Sequence, residues 1–499
     1  MVGRKVPINF DTYGHLYFAK EVKEQKTGPC DKIQLRVIGN DGLSNPFLWQ
    51  WIIALLPIDQ VLKYQKWINP ILDSLFTVFI YFISTKIGFS QKDAIFISAL
   101  YIFTPMWFSN LSMGPRVTSL TPRLFSEIGT NIFFIVTIIP LELHYLIVLS
   151  IGIVFSFLVI LSSKFSLQAI ILLTPIISIL SHNIYPTISL LISLVLCVVL
   201  FRRRFIDILL HHLKHLIWYY KENLNGAMPV SNRNSFHKLF GSLDKHNGFA
   251  RKVMAVIGRM LSGNSYTGVL FKMQILPIVL SIYFNIKVNI DILIPDHFII
   301  PVVGAVIIFL IVNIPRFLFL GEAERYLNHI AFFIVASLVF LSNELNMMWI
   351  VIYLLGFGFL YWVFESFILA NIIPNKNAIQ RISDDIVLYL QNINKKTIIL
   401  SYPYHAIGVW RLMLETAHKV IFANLDDIRK GKSNTNWYAD NYPYVKLDVI
   451  DKMHDELGVN VLIIDNKRLE RRYIGWRPST LWTKLEIGTP FFTVYEISE

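Results

Sequence analysis

The sequence predicts a polytopic α-helical membrane protein with a C-terminal soluble α/β domain. Of its 499 residues, 54% are hydrophobic and 16% are charged, whereas soluble domains carry roughly a quarter charged residues. A mean hydropathy of +0.51 agrees with a chain that lies largely in lipid. The third observation is the polar tail after residue 375, in which apolar residues alternate between helical and strand-like spacing.

The apolar segments predict about ten transmembrane helices within a domain over 68–372. A spanning helix needs about 17–25 mostly apolar residues, and packed helices can be shorter. A long loop at 202–274 interrupts this domain. The segments are 68–85, 93–109, 128–142, 144–162, 165–182, 184–201, 275–293, 298–319, 327–342 and 345–372.

The remaining parts of the chain are polar. Residues 1–67 form an extracytoplasmic loop in which NPFLWQWIIALLP (45–57) has the composition of an interfacial helix. The tail, 375–499, predicts a parallel or mixed α/β sandwich without a phosphate-cradling glycine loop, which favours packing or acceptor docking over nucleotide binding. Its predicted helices are 381–393, 406–417 and 449–458, and its predicted strands are 397–403, 419–425, 459–465 and 491–497.

The first group of chemically interesting residues is Asp11 and His15, four residues apart on one face of a predicted helix. An acid at a helix start is favoured by capping and by the helix dipole, which is the structural explanation. Alternatively, a partly desolvated Asp11 serves as a general base. Two such ligands alone are weak evidence for a metal.

The second group, Arg116, Arg123 and Glu127, follows a predicted span within SNLSMGPRVTSLTPRLFSEIG (109–129). The two arginines either extend towards lipid head groups or bind a phosphate, for which the planar guanidinium is suited. The sequence favours neither alternative.

The third group lies in LGEAERYLNHIAFF (320–333), between two predicted spans. Glu322, Glu324, Arg325 and Tyr326 form either an interfacial anchor with a local ion pair or a binding site in which Arg325 and Tyr326 hold a lipid-linked phosphate.

Together these segments resemble the GT-C class of membrane glycosyltransferases, in particular the dolichyl-phosphate-mannose:protein mannosyltransferase and aminoarabinose transferase families. The matching features occur in the order of the class. They are an early acid before a surface helix (FDTYGHLYFAKEVKEQ), a helix with a proline followed by tryptophans that leads into a span (NPFLWQWIIALLP), a second outer motif (TPMWFSN…GPRVTSLTPR) and a late Arg-Tyr before a span (ERYLNH).

The resemblance implies an inverting glycosyltransferase that moves a sugar from a polyprenyl-phosphate-linked donor to a cell-surface glycan, lipid or protein. Asp11 is the implied base, and Glu127 takes the place of the acid that the class has nearer the start of its second outer motif. Arg116, Arg123, Arg325 and Tyr326 would hold the donor phosphate, and we assign His15 to substrate binding with them. The sequence requires no cofactor, and a divalent metal has no support in it.

The resemblance also predicts a cell (inner or plasma) membrane protein with its site on the extracytoplasmic face. The class has a membrane helix before its catalytic loop, so we expect the start of this chain to lie further upstream or that helix to be lost. On the predicted topology 202–274, 320–326 and the tail are outside, although Arg202, Arg203 and Arg204 are typical of a cytoplasmic end.

The basic loop carries most of the net charge of +12, with twelve Lys or Arg and three acids in 202–274. Because this loop is tethered between spans, the charge favours anionic lipid or a lipid-linked phosphate over nucleic acid. Two further functions remain open, a transporter or flippase of lipid-linked glycan and a non-catalytic membrane assembly protein. The position of the charged residues at span ends favours the enzyme over a transporter.

Overall fold

The structure is a computed structural model whose residues fall into two compact units. It describes residues 10–31, 33–38, 46–108, 120–220, 234, 248–249, 252–253, 256–257, 260, 264–289, 295–371, 384–393, 397–402, 409–421, 450–466, 478–487 and 492–497. The membrane unit comprises Met1–Val2, Asn45–Trp49 and Lys63–Phe367. The sheet unit comprises Gly3–Ser44, Gln50–Leu62 and Ile368–Glu499.

Helices build the membrane unit, and each of the ten predicted spans overlaps one of them. The short α2 (Leu48–Ala54) lies within the predicted interfacial run, and its residues from Gln50 onwards belong to the sheet unit. In chain order the helices that follow are α3 (Ile58–Lys86), α4 (Gln91–Phe103), α5 (Pro105–Phe108), α6 (Pro122–Ile138), α7 (Tyr145–Ser162), α8 (Lys164–Leu180), α9 (Tyr185–Trp218), α10 (Ser265–Lys272), α11 (Ile275–Asn289), α12 (Asp296–Val312), α13 (Glu324–Asn328), α14 (Ala331–Glu344) and α15 (Met348–Asn371), with a 3₁₀ turn at Pro315–Leu320.

Four of the described helices, α3, α7, α9 and α15, are long and apolar enough to cross a membrane. A fifth span results if α10 and α11, bent by 85° at their junction, are counted as one. The protein is therefore an integral membrane protein, and the prediction of a polytopic helical fold is confirmed. Crossing by all ten segments stays a prediction.

Small residues let the membrane helices approach one another closely. A Cβ atom on Gly152 of α7 would lie 2.6 Å from Ser189 Oγ on α9. One turn further along α7, the hydroxyls of Ser156 and Ser193 are 2.6 Å apart, and the Ser193 hydroxyl also donates to the carbonyl of Ile153 at 2.8 Å. Close packing and internal hydrogen bonds are the main attractions between helices in lipid, where hydrophobic burial contributes little.

The helix α9 is broken at Arg202, the residue after the predicted end of its span. Arg202 has a φ of 46° and a ψ of −126°, outside the helical region. The chain beyond it continues as helix to Trp218, so the start of the predicted basic loop is helical. Nearby, the guanidinium carbon of Arg204 lies 4.1 Å from the centre of the Phe47 ring, a cation–π contact that covers an arginine beside apolar helices.

A six-stranded mixed sheet forms the centre of the sheet unit, as the alternation of the tail predicts. In the described residues its order is β1-β3-β2-β4-β6-β5, in which β1 to β4 pair in parallel and β6 is antiparallel to both of its neighbours, β4 and β5. The strands are β1 (Val37–Ile38), β2 (Ile398–Tyr402), β3 (Lys419–Ile421), β4 (Val461–Asp465), β5 (Trp482–Lys484) and β6 (Phe492–Ile497), and the helices are α1 (Phe10–Glu24), α16 (Asp384–Asn392), α17 (Val409–Glu415) and α18 (Ile450–Leu457).

The N-terminal segment and the tail share this sheet, so the contacts group the chain differently from the predicted boundaries at 67 and 375. Strand β1 pairs with β3, and α1 packs against α17, where the Phe18 and Trp410 rings meet edge to face at 5.0 Å. Arg36 joins the two parts. Its guanidinium donates to the carboxylate of Glu21 at 2.8 Å and to the carbonyls of Met413 at 2.8 Å and Thr416 at 2.6 Å.

Replacing Arg36 by Met is expected to destabilise the sheet unit by about 3 kcal/mol, because Glu21 would keep a buried charge without its cation. Glu21 is 4% exposed. The measurement is hydrogen exchange of α1 and β1 in the full chain. In the double variant Arg36→Met, Glu21→Gln, part of the loss should be recovered; an equal or larger loss there would contradict the charge argument.

Candidate functional site

The third predicted group lies in the membrane unit, on and just before the short helix α13. The guanidinium of Arg325 forms an ion pair with the carboxylate of Glu322, and both side chains are 19% exposed. The guanidinium carbon also lies 5.1 Å from the centre of the Phe165 ring, at the start of α8. Arg325 is thus a fixed, partly accessible cation between the ends of apolar helices, and a phosphate oxygen could exchange with Glu322 for its donors.

Tyr326 is fully buried next to Arg325, and its hydroxyl is used within the protein. The hydroxyl donates to the carbonyl of Leu320 at 3.1 Å and accepts a hydrogen bond from Gln168 Nε2 at 2.5 Å. Burial raises the pKa of the Tyr326 phenol, so the hydroxyl stays protonated and keeps donating. These contacts hold α13 against α8, and direct binding of a phosphate by Tyr326 stays a prediction.

A chain of hydrogen bonds brings Glu127, from the second predicted group, to the helix of Arg325. Asn328 Nδ2 donates to Glu127 Oε1 at 3.3 Å. Asn131, one turn along α6 from Glu127, donates through Nδ2 to the carbonyl of Asn328 at 2.9 Å and accepts from the Phe332 amide at 3.1 Å. Glu127 is 1% exposed. Glu127 of the second group is therefore bonded to the helix that carries Arg325 and Tyr326 of the third group, although the two are far apart in sequence.

Of the two arginines in the second group, the structure describes Arg123. Arg123 is the second residue of α6 and is partly exposed, one turn before Glu127. Arg116 lies outside the described residues. The position of Arg123 agrees equally with a lipid head group and with a substrate phosphate.

An apolar cavity of about 240 Å³ lies between α3, α6 and α7. Its lining includes Leu75, Phe79, Phe125, Ile128 and Phe155. Two of these residues, Phe125 and Ile128, lie close to Glu127 in sequence. The helix α6 therefore lines the apolar cavity and also carries the buried carboxylate of Glu127. Such a cavity suits a hydrocarbon chain.

The first predicted group lies on α1 in the sheet unit. Asp11 is the second residue of this helix, and its side chain is outside the description. Gln50 Nε2 donates to His15 Nδ1 at 3.0 Å, which leaves the neutral imidazole proton on Nε2. His15 is partly exposed, so its ring can be reached from solvent.

Sequence reasoning missed the buried polar residues that support these groups. Gln168 and Asn131 interrupt apolar helices and are 7% and 1% exposed. Lys272, the last residue of α10, is 1% exposed. A polar residue within an apolar run was the available signal, because membrane helices rarely carry such residues without an internal partner.

Within the described ranges, no three His, Cys, Asp or Glu side chains are arranged to hold a metal ion. The polar groups described above act through a guanidinium, amides and hydroxyls. Their arrangement can bind an anion and can hold helix ends in place.

Comparison with known proteins gives matches in structure alone. No family model and no curated protein sequence matches the chain. The crystal structure of the Archaeoglobus fulgidus oligosaccharyltransferase in complex with Zn and sulfate matches with a TM-score of 0.51 and 10% identity, over 99% of this chain and 70% of that one. The same enzyme tethered to an acceptor peptide matches with a TM-score of 0.53 and 11% identity, over 93% and 66%. Both are GT-C structures.

This chain has the GT-C fold. The resemblance read from the order of its motifs is thereby confirmed at the level of fold. The crystal structure of ArnT from Cupriavidus metallidurans bound to undecaprenyl phosphate matches with a TM-score of 0.45 and 11% identity, over 98% of this chain and 93% of that one.

Replacing Asn131 by Leu is expected to destabilise this GT-C chain by about 3 kcal/mol, because the Phe332 amide and the Asn328 carbonyl lose buried partners. Thermal unfolding of the purified protein in detergent measures the change. The Asn131→Asp side chain has the same shape, but it turns a carboxylate oxygen towards the Asn328 carbonyl. The unfolding temperature of this variant should therefore be at least as low as that of Asn131→Leu. An Asp variant as stable as the wild type would contradict the assigned bonds.

Proposed function

We propose that the protein is a membrane glycosyltransferase that moves a sugar from a polyprenyl-phosphate-linked donor to a cell-surface glycan, lipid or protein acceptor. The observation that carries the proposal is Arg325, a partly accessible cation on α13, the helix whose Asn328 donates to Glu127, in a chain with the GT-C fold. The oligosaccharyltransferase with this fold was crystallised with sulfate and with an acceptor peptide, which supports an anionic donor group and a separate acceptor.

In the proposed reaction, an acceptor hydroxyl or amide attacks the anomeric carbon of the donor sugar. The new bond forms on the face opposite the phosphate, the bond from carbon to phosphate oxygen breaks, and the configuration inverts. The acceptor's proton passes to Asp11, and the electron pair leaves with the polyprenyl phosphate. Arg325 stabilises the charge that grows on this phosphate, with Arg116 and Arg123 as further cations.

The supporting residues have distinct proposed roles. Tyr326 keeps Arg325 in place through its bonds to α8 and the Leu320 carbonyl. Glu127 fills the acidic position of the second outer motif, and His15 donates from Nε2 to the substrate. The cavity between α3, α6 and α7 accommodates part of the prenyl chain, and we place the reaction on the extracytoplasmic face of the cell membrane.

One observation favours a transporter of lipid-linked glycan as the second candidate. The helices α10 and α11 are bent by 85° at their junction, where Lys272 is buried, and transporters place binding groups on broken helices. Movement of lipid-linked glycan across vesicles without formation of product would support this candidate.

Replacing Arg325 by Met is expected to lower kcat/KM for the lipid-linked donor about 100-fold, because the leaving phosphate loses its cation. The assay is transfer from a radiolabelled polyprenyl-phosphate sugar by the purified chain. Arg316→Met is the matched control, since Arg316 is exposed and lies in the same connection between α12 and α13. Equal activity of Arg325→Met and Arg316→Met would contradict the assignment of Arg325 to the donor phosphate.

Replacing Asp11 by Asn is expected to lower kcat about 100-fold with little change in donor KM, the effect of removing a general base. Asp59→Asn is its control, an exposed acid at the start of α3. If Asp11→Asn retained full turnover, the base would have to be another residue.

A further inference from the structure

Lys272 is a lysine buried in the membrane unit that the proposed reaction does not use. It is 1% exposed and is the last residue of α10, directly before the 85° bend into α11. Burying a charged ammonium group is costly unless nearby negative charge compensates it. The negative groups near Lys272 are therefore the next question.

Two carboxylates supply this negative charge. Glu365 on α15 and Glu324 on α13 both interact electrostatically with Lys272, Glu365 more strongly. Glu365 is itself 1% exposed. Lys272 therefore interacts with one acid on α15 and with a second acid on α13, Glu324, which directly precedes Arg325 in sequence.

The helix α10 also contacts Glu324 from its other end. The hydroxyl of Ser265, the first residue of α10, donates to Glu324 Oε2 at 2.7 Å. Asn264, which caps α10 by accepting from the Thr267 amide at 3.1 Å, fixes the direction of this first turn. A single short helix thus provides both a hydrogen bond and a positive charge to the carboxylate beside Arg325.

The charge of Lys272 matters for any anion that approaches Arg325. Arg325 pairs with Glu322, Glu324 directly precedes it in sequence, and Lys272 interacts with Glu324 and Glu365. These five side chains are the charged cluster of the membrane unit. Loss of Lys272 would make the cluster more negative by one charge. In a site of low dielectric constant such a change acts strongly on a nearby phosphate.

We propose that Lys272 is a positioning residue for the donor phosphate: it balances Glu324 and Glu365, and so keeps Glu324 from competing for Arg325 and from repelling the phosphate. This inference rests on the proposed function, because it assumes that Arg325 receives a lipid-linked phosphate. It adds a residue that the order of motifs does not mark, and it predicts an effect on phosphate binding without contact to the substrate.

The test compares farnesyl phosphate binding by purified full chains in detergent, measured as the ligand-dependent rise in unfolding temperature. The variants are Lys272→Met, the double variant Lys272→Met with Glu365→Gln, and the control Lys92→Met. Lys92 is exposed at the start of α4. The double variant returns the cluster to its original net charge without restoring the lysine, so it separates charge from shape.

Lys272→Met is expected to weaken farnesyl phosphate binding about tenfold and to raise donor KM more than it lowers kcat, while the double variant recovers to within about threefold. Lys92→Met should match the wild type. If Lys272→Met does not fold, the double variant and Glu365→Gln alone still test the inference. Glu365→Gln should bind farnesyl phosphate at least as tightly as the wild type does.

Two results would overturn the inference while leaving the proposed function intact. One is wild-type affinity in Lys272→Met, and the other is an equal loss of affinity in the single and double variants, which would indicate a role in packing alone. If the wild type itself showed no response to farnesyl phosphate, the proposed lipid-phosphate donor would fail, and this inference with it.

Discussion

Asn131 makes the interaction on which the arrangement of the membrane unit depends. A single side chain bridges α6 to the carbonyl of Asn328 and to the amide of Phe332, at the point where the chain passes from α13 to α14. Lipid offers no hydrogen bonds to such groups, so the junction has to be satisfied from within the protein. Because α13 carries Arg325, the position of that cation depends on a side-chain amide of another helix, α6.

In the sheet unit, too, a side chain from one part of the chain binds backbone groups of another part. The helix α1, with Asp11 at its start, lies against α17, where Trp410 contacts Phe18, and Arg36 is bound to carbonyls of α17 and the residue after it. The proposed base thus stands on a helix that the tail holds in place. A tail without nucleotide-binding motifs gains a role that its own sequence does not suggest.

Much of the fold could be predicted because hydropathy acts over long segments. Each predicted span overlaps a helix, and the alternating tail formed a mixed sheet. Strand β1 could not be predicted, since two residues have no periodicity, and neither could the helix beyond Arg202, which is rich in charge. In the site, Arg325 and Tyr326 were marked by a motif, whereas Gln168, Asn131 and Lys272 matter through partners far away in sequence.

The shared sheet has a consequence for how the chain threads the bilayer. Val37 pairs with Val420 in the parallel ladder of β1 and β3, and no lipid can separate strands joined by backbone hydrogen bonds. Strand β1, before α3, and strand β3, after α15, must therefore lie in the same aqueous compartment, and the number of crossings between these two strands is even. If one predicted span does not cross the membrane, a second one must also be reassigned. The side of the membrane assigned to Arg202, Arg203 and Arg204 has to agree with this even number of crossings.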